Sequence, residues 1–362
     1  LTMTALGLVT LAPQALAAGI VADKSAPGGQ QPNVMQSANG TPQVNIQTPS
    51  AGGVSHNKYT QFDVDNKGAI LNNSHKQVQT QMGGWVAGNP WLAKGEAKII
   101  LNEVNSRDPS KLNGYVEVAG RKAQVVIANP AGISCDGCGF INANRATLTT
   151  GTPQMTNGEL RGYRVGNGEI VVEGAGMDSS RQDYTDLIAR TVKVNAGIWA
   201  KDMTVTTGKN EVAADNNKVD NNSATASTTA ESDSSDVKPT LAIDVAQLGG
   251  MYAGKIRLVA TEQGVGVSNK GTLGTQAGDI TINANGDIVN SGTVNAGQDL
   301  LLGGKKVDNS GTLFAQRDHS TTASDEVTNS GLIAAKGNTS VRGATIRTSK
   351  GAAIAAGMKT DG

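Results

Sequence analysis

At 362 residues the chain is long enough for a large core and for two or three domains. It holds 46 Gly but only 3 Phe, 3 Trp and 5 Tyr, which suits thin, repeated β layers better than a compact α/β enzyme. Formal charge is zero, 31 basic against 31 acidic residues without a basic run, so nucleic acid is not expected as a partner.

Residues 6–11 form a short apolar run, and Ala15-Leu16-Ala17 before Ala18 has the small residues of a signal-peptide cleavage site. Residues 1–17 therefore read as the remnant of a signal peptide cleaved near Ala17, too short to span a bilayer as a helix. An exported chain is expected. Residues 20–38 are polar and Gly/Pro-rich. Strand-like pieces follow at 44–46, 59–64 and 69–71. Asp65-Asn66-Lys67-Gly68 is corner chemistry between the last two, because Asn and Gly tolerate positive φ. Val44, Ile46, Phe62, Val64, Ile70 and Leu71 are candidate core, whereas His56 and Lys58 read as solvated.

Asn89-Pro90-Trp91-Leu92 and Asn129-Pro130-Ala131-Gly132-Ile133 are two Asn-Pro turns. An Asn side chain bonds its own backbone two residues on, and Pro fixes φ, so each predicts a rigid, exposed corner. The second lies at the centre of residues 99–153, where short alternating runs such as 115–118 and 124–128 are cut by Asn-Pro, Asn-Gly and Asp-Gly. Cys135 and Cys138 follow it. In an oxidising compartment such a pair can close a local disulfide around a very small loop. A thioredoxin-like role would need a helix starting at the motif, which Gly137 and Gly139 do not supply. Zinc would need two more ligands, with His56, His75 and His319 as the available imidazoles. Neither redox chemistry nor a metal is expected.

Further strands are predicted at 169–173, 187–194 and 203–207, with Val192, Val194, Ile198 and Trp199 inside. Asp178, Asp183 and Asp186 are the densest carboxylate group. A polysaccharide-cleaving site would need them to converge on a cleft beside a base such as Arg181 or Arg190. Solvated Asp residues around a loop are commoner, so no enzyme is expected. Residues 211–239 have almost no apolar content and read as a mobile surface loop. The strand-turn grammar then resumes over 241–271. Asn269-Lys270-Gly271, Asn290-Ser291-Gly292, Asn309-Ser310-Gly311 and Asn329-Ser330-Gly331 begin 21, 19 and 20 residues apart, each followed by apolar residues. That interval marks a solenoid, and Val, Ile and Leu between Asn/Gly corners point to a β-helix coil with Asn-Ser-Gly at the turn. Open β-stacks need covered ends, so residues before Val44 are expected to cap the first coil.

The motif NPAGI followed by CDGCGFINANRATLTTG, with the late repeats, resembles the secretion domain of two-partner-secretion exoproteins, the filamentous-haemagglutinin-like family. Within it the likeness is greatest to the amino-terminal region of contact-dependent growth inhibition proteins. The resemblance implies an all-β, right-handed parallel β-helix with an N-terminal cap and small extra-helical β-sheets. It implies a secretion domain over 18–262 with the 211–239 loop inside it, and the first haemagglutinin-type repeats over 263–362. It further implies a non-enzymatic, monomeric module without cofactor, recognised in the periplasm by the POTRA domains of a cognate outer-membrane β-barrel transporter. The exported toxin or adhesin would reach the cell surface and contact a target-cell receptor through later regions. The family's corners, Asn-Pro-Asn-Leu and Asn-Pro-Asn-Gly-Ile, are tied to secretion. The matching positions are Asn89 and Pro90, then Asn129, Pro130, Gly132 and Ile133, with Trp91 and Ala131 standing where the family has its third-position Asn. The alternative is an adhesive β-helix rod binding host or neighbour-cell surfaces.

Overall fold

The computed structural model describes residues 19–220 and 237–359, and no α-helix occurs among them. Three parallel sheets wind around one apolar axis, and the late repeats show why. Strands Gly266–Asn269, Thr272–Thr275 and Ile280–Ala284 make one coil. Ile288–Asn290, Thr293–Ala296 and the start of Leu300–Asn309 repeat it one layer up, in register. Alternation along each short strand sends every second residue inward. Val267 thus stacks on Ile288 in the first face, Leu273 on Val294 in the second, and Ile282 on Leu302 in the third. The second-face column is unbroken from Met177 through Ile198, Met251, Leu273, Val294 and Leu313 to Ile333. One buried apolar cluster accordingly runs from Ile20 to Ala335.

A polar column runs beside the apolar ones. Asn269, Asn290, Asn309 and Asn329 are buried at the ends of successive first-face strands. The Nδ2 of each of the first three donates to the Oδ1 of the next coil's Asn, at 2.9, 2.8 and 3.0 Å, and that of Asn329 to the Ala353 carbonyl at 2.9 Å. The repeated Asn therefore ends the strand from inside the coil, and the turn itself falls on the following two residues. The glycine of each repeat is demanded by close approach. A Cβ at Gly292 would lie 2.1 Å from the Gly271 carbonyl oxygen, and at Gly311 2.0 Å from that of Gly292.

The amino-terminal end is covered by antiparallel pairs, as expected. Ile20–Ala22 pairs with Val54–Phe62, and Asn33–Gln36 with Pro42–Asn45. Residues 1–18, which include the signal-peptide reading, lie outside the described residues.

Two small sheets sit outside the helix. The hairpin of Val78–Thr80 and Gly84–Val86 packs Val86 against Ile70 and Ala119. A four-stranded antiparallel sheet comprises Thr152–Thr156, Glu159–Val165, Asn210–Ala213 and Val219–Asp220. Its Leu160, Tyr163, Val165 and Val212 cover the outward-facing Val54, Leu101, Val126 and Ile188 of the third face. This corrects the loop reading at its start: residues 210–213 and 219–220 are strands, while 221–236 fall outside the described residues.

Two further expectations are revised. Trp199 is not in the core but 45% exposed, because Ile198 takes the inward position and alternation puts its neighbour outside. His56, read as solvated, lies half-buried on a strand with Nε2 2.6 Å from the Glu103 carboxylate one coil above. Lys58, two residues on, is half-buried on the same face.

Candidate functional site

The two Asn-Pro turns fold alike. At Asn89 the side-chain Oδ1 accepts from the Trp91 amide at 3.1 Å, capping the short 3-10 turn Pro90–Leu92. Its Nδ2 donates to the carbonyls of Ile46 at 2.9 Å and Asn72 at 3.1 Å. At Asn129 the Oδ1 accepts from the Ala131 amide at 3.0 Å, and Nδ2 donates to the Asp108 carbonyl at 2.8 Å and to Ser110 Oγ at 2.9 Å. Pro is suited to the first position after the cap, where its missing N–H would have no intrahelical partner.

The corners are exposed at their Pro residues, as expected, but both Asn side chains are 0% exposed. Each Oδ1 is used within its own turn, whereas each Nδ2 reaches sequence-distant partners, two carbonyls for Asn89 and a carbonyl with Ser110 Oγ for Asn129, so it rivets the corner to the coil beneath. What the corners offer to solvent is Pro90 with Trp91, and Pro130. Leu92, buried, and Ile133, 2% exposed in the first-face column over Ser110 and under Ile170, pin the far side of each corner. Gly132 has φ +120°, a conformation that needs glycine, and it bonds both ways: its N–H donates to Asn129 O, and its carbonyl accepts from Ser110 N–H. The third-position residues Trp91 and Ala131 contribute their backbone N–H, so the turn geometry does not require Asn there. The corners occupy different edges of the prism. Asn129 follows the third-face strand Ala123–Ala128, while Asn89 precedes the third-face strand Ile99–Val104.

Two residues beyond Ile133, Cys135 and Cys138 are joined as a disulfide across 5.3 Å between Cα atoms. The strand Ile133–Ile141 bends there from the first face to the second: Cys135 pairs with Val172, and Cys138 with Met177. Both sulfurs are buried in the core, so the bridge locks the bend from inside. Gly137, with φ +73°, makes the bend, and Asp136 accepts from the Ala175 amide of the neighbouring bend at 2.8 Å.

The three carboxylates do not converge. Asp186 is buried on the third face, held by Arg145 at 2.7 and 2.9 Å and by Thr147 at 2.7 Å. Asp178 is on the second face, and Asp183 is exposed with Lys201 4.0 Å away. Burial pushes the Asp178 carboxyl up, but the hydroxyls of Ser180 and Tyr115 donating to it outweigh that and hold it below the usual carboxylate range. Nothing in this placement forms an acid–base pair across one cleft.

Sequence reasoning missed the partners that give the corners their meaning: Ile46, Asn72, Asp108 and Ser110. They lie 43, 17, 21 and 19 residues away, respectively, so only the coil period of about 20 residues could have suggested them.

Comparison with known proteins is consistent along most of the chain. The TPS secretion domain family model matches residues 18–290. "Toxin CdiA" of Yersinia pestis is 61% identical over 87% of this chain, and "tRNA nuclease CdiA-2" of Burkholderia pseudomallei is 49% identical over 78%. The chain spans 9% of the length of each. The crystal structure of a filamentous hemagglutinin secretion domain superposes with TM-score 0.69 at 29% identity, over 94% of this chain and 100% of that one. The HMW1 secretion domain from Haemophilus influenzae shares the fold at TM-score 0.52 and 14% identity, over 90% of this chain and 96% of that one.

Proposed function

The chain belongs to the TPS secretion-domain family, and we propose that it is the non-enzymatic secretion and folding module of a large exported toxin or adhesin. The observation that carries this reading is the family match over residues 18–290, on a β-helix that also superposes on a filamentous hemagglutinin secretion domain. In this reading the chain crosses the periplasm after signal-peptide cleavage near Ala17, and POTRA domains of a cognate outer-membrane β-barrel transporter recognise it. Contact-dependent growth inhibition is the proposed setting, supported by the relatives named CdiA. The activities those relatives are named for would belong to the remainder of their length. Residues 18–262 are proposed as the secretion domain and 263–362 as the first filament repeats. The in-register stack of Leu258 on Ile282 supports a seamless junction between them.

The physical account is β-augmentation followed by directional folding. Before it folds, the chain presents strand-length segments whose free N–H and C=O groups can pair with an edge of the transporter's periplasmic domains. Outside the cell, the antiparallel cap around Ile20–Ala22 and Asn33–Gln36 gives the first coil a finished end, and each later coil then has a template on one side. Asn89 with Pro90, and Asn129 with Pro130, Gly132 and Ile133, act at this step by fixing early corners to the coil below.

The test is direct binding. The purified periplasmic domains of the partner transporter should bind urea-denatured chain on dilution and bind the prefolded chain far less. Equal binding of both forms, or of neither, would refute recognition of unfolded strands.

A further inference from the structure

The core is filled almost wholly by aliphatic side chains, yet all three tryptophans are in solvent, Trp85 at 62%, Trp91 at 37% and Trp199 at 45% exposure. Exposing so large an apolar ring forgoes the stabilisation that burial would give, so its surroundings call for explanation. Trp199 is paired in register with Tyr252 one coil above, itself 42% exposed, and the two rings lie 6.1 Å apart at 20°.

The backbone is cleared for both rings. Trp199 leans back over Gly197, where a Cβ would come within 2.6 Å of the indole. Tyr252 leans in the same way over Gly250, where a Cβ would lie 2.8 Å from the hydroxyl oxygen. In the next coil the position in register with Tyr252 is Gly274, which puts no side chain beside that ring, and beyond it stands the exposed Asn295. On the other flank the residue in register with Trp199 is Asp178. Its carboxylate already accepts from Tyr115 at 2.7 Å and Ser180 at 2.6 Å, which fixes its position. The outer second face thus carries a stacked aromatic pair bracketed by a positioned carboxylate and an amide.

We propose that this strip, Asp178, Trp199, Tyr252 and Asn295, is a carbohydrate-binding site that seats a pyranose residue of an oligosaccharide. A pyranose offers an apolar C–H face to an aromatic ring and a rim of hydroxyls to the acceptor and donor groups beside it. A lipid surface would call instead for a broader apolar patch, and here the pair is flanked by a carboxylate one coil before it and an amide two coils beyond it. The site is distinct from the Asn-Pro corners.

The experiment follows intrinsic tryptophan fluorescence and titration heat of the whole chain with maltoheptaose, chitohexaose and oligogalacturonate, the last arm separating acidic from neutral sugars. Phosphatidylcholine vesicles serve as the lipid control. At least one saccharide should bind saturably below about 10 mM. Trp199→Ala and Asn295→Ala should each weaken that binding, the former by about tenfold or more, whereas Trp85→Ala should not. Because both side chains lie outside the core, the variants should keep the wild-type thermal midpoint, and Tyr252→Ala gives a second aromatic deletion if Trp199→Ala does not. Absence of saccharide binding, binding undiminished in both aromatic variants, or binding to vesicles alone would overturn the proposal.

Discussion

Replacing Asn290 by Ala tests whether the buried amide column holds the coils together. Asn290 is 2% exposed; its Nδ2 donates to Asn309 Oδ1 at 2.8 Å and to the carbonyls of Gly292 and Thr312 at 3.2 Å, and its Oδ1 accepts from Asn269 at 2.9 Å. Truncation leaves Asn309 Oδ1 without the Asn290 donor and reduces Asn269 Nδ2 to two carbonyls at 3.3 Å. With each buried group left short costing about 1–3 kcal/mol, Asn290→Ala should destabilise by about 2–4 kcal/mol. Asn290→Asp has nearly the same shape but cannot donate when ionised, and it sets a carboxylate against Asn309 Oδ1 and two carbonyls. It should cost more than Ala at neutral pH. Its folded-state pKa would be raised, so the extra cost should shrink as pH falls and the protonated acid regains a donor. Solenoids unfold in parts, so the assay is amide hydrogen exchange across residues 266–335, supported by urea unfolding. A loss below about 0.5 kcal/mol for Asn290→Ala, or equal losses for the two variants at all pH values, would refute the load assigned to the column.

Three other outcomes follow. His319 is buried in the third-face column above Leu300, with Nε2 2.6 Å from Thr321 Oγ1, and burial pushes its pKa down from 6.5 to about 4. The unfolded chain takes up this proton first, so stability should fall as pH drops from about 6.5 to 4 and level below, by about 3 kcal/mol in all. His319→Leu should abolish that slope in a pH series of urea unfolding. Opening the small Cys135–Cys138 loop with excess reductant should cost about 2 kcal/mol by loop entropy. A thermal melt that the reductant leaves unchanged would count against that figure. Gly311→Ala should disrupt the stack, since its Cβ would sit 2.0 Å from the Gly292 oxygen, and exchange protection should drop in the coils on both sides of it.

The late coils were legible because the same demand recurs every layer: Asn inside, Gly where backbones touch, and an aliphatic residue on the column. The same alternation misled at Trp199, because a run such as Ile198-Trp199 carries two apolar residues and only the register decides which faces in. Val126 shows the converse. Its run Val125-Val126-Ile127 is apolar throughout because the outer face lies under the extra sheet, whose Tyr163 and Val212 come from distant segments. The corners were recognisable as turns from Asn-Pro alone. Their burial was not, since it depends on carbonyls one coil away in space, at separations set by the winding and not by local chemistry.

The central claim is that this chain is exported by a dedicated partner and that its early corners serve that step. The most direct measurement is the amount of chain outside cells with and without the partner barrel, for wild type, Asn89→Ala and Asn129→Ala. The expected result is export only with the partner, and a large loss in Asn129→Ala, whose purified form refolds more slowly than wild type. Equal export with and without the barrel would contradict it.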